Sequence, residues 1–341
     1  LIEVKNLTKR YGNHTAVSDL SFTIGDGQIY GLLGPNGAGK TTTMNILTGC
    51  LAATSGEVRI DGFDIFEEAD KAKRLIGYLP EQPPLYLDRT PAEYLDFVGE
   101  AKGLRGPELK KQVAAVMETT RITGVADRLI KNLSKGYRQR VGIAQAILGD
   151  PKIIILDEPT VGLDPRQIIE MRELIKGLGE THTVILSSHI LSEVQAVCTT
   201  VMIISEGRLV ACDTPENLER LFAGAATVEL TAEAGEAEAR AALSGVAGAE
   251  DIKTSEQEGG RCAITLQTSR DDSICRDIFF AFSAIGRPIL RMETSRASLE
   301  QIFIELTGGE PRAPEQASSP EAAPAAAAET AAGDGKEADA Q

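Results

Sequence analysis

Gly34-Pro35-Asn36-Gly37-Ala38-Gly39-Lys40-Thr41 is the stretch on which the fold turns. It matches the spacing GxxxxGK[ST], and it follows a short apolar run (28–33) and opens a helix-like segment, as that pattern requires. Its glycines let backbone N–H groups curl around phosphate oxygens. A helix N-terminus adds the positive end of its dipole, and Lys40 reaches the β- and γ-phosphates. Thr41 supplies a hydroxyl for Mg2+. The alternative is a Gly-rich surface turn with an incidental lysine; the eight-residue match in a strand-to-helix setting weighs against it.

Outward from this loop, residues 1–221 alternate short apolar runs with longer helix-like segments, the pattern of an α/β fold. Runs at 28–33, 152–156 and 183–186 read as strands. Asp213, Thr214 and Pro215 open a short helix over 215–222, and the Ala/Gly stretch 223–226 reads as a boundary. A second unit then shows strand 227–231, helix 234–243, strands 251–254 and 262–267, helix 272–285 and strand 289–293, a β-α-β-β-α-β order of ferredoxin-like type. A last helix over 298–306 begins with a capping box (Ser298, Gln301). It carries Leu299, Ile302, Phe303 and Leu306 on one face, which is expected to dock on the main body. The Ala/Pro/Glu-rich segment from 310 to 341 has too little apolar surface to offset chain entropy and is expected to be disordered. The expected domains are thus 1–222, with a helical subdomain over 84–149, then a small α+β domain over 227–309, and the tail.

Composition narrows the class. The 341 residues are 42% hydrophobic and 25% charged, which fits a globular protein rather than a fibrous or secreted one. No stretch approaches the ~20 apolar residues of a membrane-spanning helix. Leu1-Ile2-Glu3-Val4-Lys5 begins a strand pattern with no basic region ahead of an apolar one, so no secretory signal is expected, and the opening Leu1 suggests a trimmed or re-read initiator. Five cysteines without CxxC spacing argue against a zinc site or a disulfide framework, and all five are expected to be reduced and buried. A net charge of −15 repels nucleic acid and anionic lipid, so attachment to a membrane would have to run through another protein.

Ile153-Ile154-Ile155-Leu156-Asp157-Glu158 reads as a buried strand ending in two carboxylates, placed beside the phosphate loop in a doubly wound sheet. Asp157 fits a Mg2+ shell. Glu158, one step on, is placed to orient the attacking water or take its proton, work usually worth ~10²–10⁴-fold in rate. A solvated helix cap is the plain alternative for the pair.

Leu133-Ser134-Lys135-Gly136-Tyr137-Arg138-Gln139-Arg140 resembles the LSGGQ signature of ATP-binding-cassette (ABC) proteins. Lys135 stands in place of a glycine and Tyr137 in place of the glutamine. From its residues alone it is an N-capped helix start (137–148) with Ser134 as the cap and a close-approach Gly136. Taken with the phosphate loop and the carboxylate pair, it identifies residues 1–221 as resembling an ABC ATPase with a P-loop NTPase fold. The resemblance implies ATP and Mg2+ as cofactors, with nucleotide contacts from Tyr11 through Gly34 to Thr42 (Gly34, Pro35, Asn36, Gly37, Ala38, Gly39, Lys40, Thr41, Thr42). Thr41 and Asp157 would hold the metal, and Glu158 and His189 would be catalytic. Tyr11 would stack on adenine, with an edge-strand packing role as its alternative. Glu81 or Gln82 would do the glutamine-loop job, since the family's glutamine aligns with Glu81. In such cassettes two subunits sandwich two ATP molecules, with Ser134, Gly136 and the Asp164 loop acting across the seam. That implies a homodimer or a pairing with a similar subunit.

The run 298–307 and the Leu79-Pro80-Glu81 loop resemble the ABC-2 exporter group, which includes drug-resistance, gliding-motility and copper-site-maturation ATPases. A separate membrane permease is the implied partner, and the implied location is peripheral, on the cytoplasmic face. The rival classes are a soluble cassette acting on ribosomes or DNA and a nucleotide-gated module without turnover. A single P-loop, the acidic balance and the intact Lys40, Asp157, Glu158 and His189 weigh against them.

Overall fold

The apolar runs around the phosphate loop become neighbouring strands of one sheet. The computed structural model of the chain describes residues 2–222, 226–257, 259–270 and 272–295, together with Phe303 and Thr307. Strands β1 (Ile2–Tyr11) and β2 (His14–Ile24) pair as a hairpin. β3 (Ile29–Leu33), buried throughout, leads through the glycine loop into α1 (Lys40–Leu47). β4 (Ser55–Ile60) and β5 (Phe63–Asp64) complete an antiparallel sheet of order β2-β1-β4-β5. Next come α2 (Ala69–Arg74), β6 (Ile76–Leu79) and a helical block of α3 (Pro91–Ala101), α4 (Gly106–Thr119) and α5 (Lys135–Ile147). The chain returns through β7 (Ile153–Leu156), α6 (Pro165–Gly179), β8 (Thr183–Ser188), α7 (Leu191–Val197), β9 (Thr200–Ser205), β10 (Arg208–Asp213) and α8 (Pro215–Phe222).

The second sheet has the order β10-β9-β3-β8-β7-β6 and is parallel except at its β9/β10 edge. β3, β7 and β8 are buried along their whole length, so they read as continuous apolar runs with no alternation. β8 lies between the acidic strand β7 and β3, and the carboxylates at the end of β7 still come to lie beside the phosphate loop, as expected. The three strands lie in register, Leu32 opposite Ser187 and Leu186 opposite Leu156, so their C-terminal loops open at one rim. That rim carries the glycine loop, Asp157-Glu158 and His189.

Caps fix where the helices begin. Thr90 and Glu93 form a capping box around α3, and Asp164 accepts from Gln167 N–H (2.9 Å) with Pro165 in the first turn of α6. Ser134 accepts from Tyr137 N–H (3.4 Å), so α5 starts at Lys135, two residues before the expected position.

The C-terminal strands form their own sheet. β11 (Ala226–Ala232), α9 (Glu236–Ser244), β12 (Glu250–Gln257), β13 (Arg261–Thr268), α10 (Ser273–Ala284) and β14 (Ile289–Ser295) give the order β12-β13-β11-β14, antiparallel throughout. This is the expected ferredoxin-like arrangement, closed over Val228, Leu230, Leu266, Ile278 and Phe282. Phe303 packs against the large core that surrounds β3 and β7. The rest of the helix expected at 298–306, and the tail 310–341, lie outside the described residues.

All five cysteines are free, but Cys50 and Cys212 are exposed, against the expectation that all would be buried. Burial pushes the Cys198 thiol up to about 12. Among the described residues no helix is long and apolar enough to cross a membrane.

One glycine tests how tightly sheet and helical block are joined. A Cβ on Gly77 of β6 would lie 2.2 Å from the carbonyl oxygen of Ala146 in α5, a backbone atom that cannot swing aside. Gly77→Ala is expected to cost ~1–3 kcal/mol or more of stability, read as a lowered urea midpoint at unchanged m-value.

Candidate nucleotide-binding and hydrolysis site

Two separate constraints make the phosphate loop glycine-rich. Gly37 (φ +83°) and Gly39 (φ +100°) sit in the left-handed region, and a Cβ on Gly34 would lie 2.4 Å from the carbonyl oxygen of Ile204. The loop is also tied to its surroundings: Gly207 N–H donates to Ala38 O (3.0 Å) and Ser18 N–H to Gly207 O (2.8 Å). The hairpin β1–β2 is thereby fastened to the loop through the β9–β10 turn. Lys40 is buried, and its ammonium donates to Gly34 O (2.8 Å) and Pro35 O (3.3 Å) and stands 3.4 Å from Glu158 Oε1.

At the end of β7, Asp157 is fully buried. Its Oδ1 accepts from Ser187 Oγ (2.5 Å) and lies 3.5 Å from Thr41 Oγ1, while Oδ2 has no hydrogen-bond partner among the described residues. Burial raises its pKa above the ordinary 3.8, opposed by the Ser187 and Thr41 hydroxyls and reinforced by the charges of Glu158 and Glu81. An unmatched carboxylate oxygen beside a threonine hydroxyl is an oxygen-only donor set suited to a hard divalent cation, so these residues fit Mg2+.

Glu158 takes a left-handed backbone (φ +48°), held by its N–H donating to Ser187 Oγ (2.9 Å). Its Oε2 is 2.8 Å from His189 Nδ1. An ionised carboxylate only accepts, which assigns the proton to Nδ1. Glu158 is therefore gripped between the Lys40 ammonium and the His189 ring.

Lys40, Glu158 and His189 border one cleft of about 470 Å³, lined also by Asn36, Gly37, Gly39, Thr41, Thr42 and Glu81, with Asp157 buried outside its lining. Tyr11 stands at its mouth, 49% exposed, with the Lys9 ammonium 5.2 Å from its ring centre. Gln82 lines a neighbouring hollow of about 410 Å³ with Pro83, Pro84, Lys135 and Arg138. Glu81 lines both. Ser134, Gly136 and Asp164 are not brought to this cleft. Ser134 and Asp164 cap α5 and α6, and Gly136 packs on the Gln167 side chain.

His14 in the cleft lining and Ser187 behind it escaped sequence reasoning. His14 joins the lining because hairpin register sets it opposite Tyr11, a pairing signalled only by the Gly12-Asn13 turn. Ser187 binds both Asp157 and the Glu158 amide; its signal was its position two residues before His189.

Residues 17–161 match the ABC transporter family. The linearmycin resistance ATP-binding protein LnrL of Bacillus subtilis (strain 168) is 33% identical over 309 residues, covering 90% of this chain and 98% of that protein. This chain belongs to the ABC transporter family. The Nod factor export ATP-binding protein I of Cupriavidus metallidurans is 30% identical over 321 residues, covering 92% of this chain and 99% of that protein. A solved dimeric ATP-binding cassette in a post-hydrolysis state, bound to ADP and Pi, superposes with a TM-score of 0.58 at 27% identity, covering 63% of this chain and 98% of that one. As an ABC ATPase the chain binds ATP and couples its hydrolysis to transport.

Two variants probe the cleft. Lys40→Ala removes the cation that offsets phosphate charge, so ATP affinity is expected to fall at least tenfold in calorimetric titration with the far-UV circular dichroism unchanged. For Asp157, the folded chain binds the proton more tightly than the unfolded chain. Its ionised form therefore costs stability above the folded pKa, and the cost vanishes as pH drops below the ordinary 3.8. Asp157→Asn is accordingly expected to raise the Tm of the nucleotide-free protein at pH 7.5, a gain that shrinks toward pH 4.

Proposed function

We propose that this ABC ATPase energises a separate membrane permease of the ABC-2 class as part of an exporter, held at the cytoplasmic face through that permease. The observation that carries the reading is the relative named for linearmycin resistance, whose similarity spans 98% of its length and so includes the C-terminal sheet as well as the ATPase part. The relative named for Nod factor export extends as far. Such names favour transport over a soluble cassette working on ribosomes or DNA, and a net charge of −15 favours it too. The division into 1–222, 227–309 and 310–341 belongs to this proposal.

In the proposed mechanism the loop amides from Asn36 to Thr42 and the Lys40 ammonium balance phosphate charge, and Tyr11 packs on the base. Thr41 and Asp157 would hold Mg2+, which would supply electrostatic stabilisation of phosphate charge. Glu158 orients the attacking water and accepts its proton at the carboxylate. His189 keeps that carboxylate aimed through Nδ1, and Glu81 borders the same cleft. Ser134, Gly136 and Asp164, outside the cleft of their own chain, complete the site of a second subunit. The similar cassette solved as a dimer supports this arrangement.

Glu158→Gln keeps shape and hydrogen-bonding reach but cannot act as a base. ATP and Mg2+ are expected to bind while hydrolysis falls ~10²-fold or more. Uncleaved nucleotide then acts as glue, and light scattering after size exclusion is expected to show a dimer with Mg-ATP and a monomer without. Normal hydrolysis would remove the catalytic role of Glu158; an inactive, ATP-binding monomer would remove the sandwich.

A further inference from the structure

Glu158 and His189 sit on different loops, after β7 and after β8, and meet at 2.8 Å. The His189 side chain is 40% exposed. A contact open to water on one side contributes only ~0–1 kcal/mol, too little to fix two loops by itself. Beneath it lies a buried carboxylate that the mechanism above does not use. Glu193, in the first turn of α7, is 5% exposed. Its Oε2 accepts from Thr160 Oγ1 at 2.5 Å and from Ser188 Oγ at 3.2 Å. Both hydroxyls are themselves buried. Thr160 lies two residues beyond Glu158, and Ser188 immediately precedes His189. Ser188 Oγ also accepts from Ile190 N–H at 3.0 Å, so the turn that presents His189 is held on both sides.

A carboxylate withdrawn from water is costly, and an apolar side chain would pack at this point of α7 at no such cost. What an apolar residue lacks is an oxygen on which two hydroxyls from two loops converge. We propose that Glu193 is a positioning residue for hydrolysis: its carboxylate ties the Glu158 loop to the His189 loop and sets the Glu158–His189 contact. It acts through Thr160 and Ser188 and has no contact with nucleotide of its own. This inference rests on Glu158 and His189 being the hydrolytic pair.

The test compares full-length wild type, Glu193→Ala, Glu193→Gln and Thr160→Val. It reads kcat and KM at saturating Mg2+, ATP affinity by titration, and Tm. Glu193→Ala is expected to lower kcat tenfold or more with ATP affinity within about twofold of wild type. Glu193→Gln, whose amide oxygen can still accept both hydroxyls, is expected to recover most of that loss. Thr160→Val cuts one tether without changing shape, and is expected to lower kcat several-fold at a Tm close to wild type; it carries the test if Glu193→Ala does not fold. Combining Glu193→Ala with Glu158→Gln should lower the residual rate no further, because the tether then has nothing to aim. Unchanged kcat in Glu193→Ala, or in Thr160→Val if Glu193→Ala does not fold, overturns the proposal. So does a kcat loss matched by equal losses in ATP affinity, which marks a merely structural role. Failure of the underlying reading shows separately, as a Glu158→Gln single variant that hydrolyses at the wild-type rate.

Discussion

An unmatched oxygen on a fully buried carboxylate is the constraint around which this protein is arranged. Leaving such a group unsatisfied costs ~1–3 kcal/mol, and Asp157 Oδ2 is in that position at the end of the β7 strand. The parallel sheet brings three strand ends to one rim, and the neighbours at that rim are arranged to tolerate the charge only in part. Ser187 and Thr41 attend to Oδ1 and leave Oδ2 open. That open oxygen is held in place by the surrounding buried strands.

Much of the ATPase part was legible because its determinants are local. A left-handed φ at Gly37 and Gly39 and a steric limit at Gly34 are demands of a few residues on themselves and near neighbours, and they leave a readable spacing. The cap residues Ser134 and Asp164 are local in the same way. So is the strand and helix succession of the C-terminal sheet, where β11 alternates buried and accessible positions. What stayed hidden depends on neighbours distant in sequence. That β8 intervenes between β3 and β7 is a matter of sheet order, which no single run encodes. The exposure of Cys50 and Cys212 depends on what covers them, and a free cysteine carries no periodicity from which to read it.

The placement of Glu81 belongs to the same class. Two adjacent acceptors, Glu81 and Gln82, are equivalent as letters, but only Glu81 also reaches the phosphate-loop cleft. Glu81 borders both cavities and Gln82 only the outer one. A side chain that borders two cavities is a physical link between what fills one and what fills the other. Sequence alignment can name that slot but cannot show its two-sidedness.

The fastening of the β1–β2 hairpin to the phosphate loop has a consequence of its own. Ser18, Gly207 and Ala38 form a continuous chain of backbone hydrogen bonds, and Cβ atoms on Gly39 and Gly207 would both collide with Ala16 O. The hairpin that carries Tyr11 and the loop that carries Lys40 are thus joined through backbone atoms, not only through side chains. On the proposed role of Tyr11, the span from base platform to phosphate cradle is then set by the backbone. A nucleotide shorter than that span would reach one end and not the other.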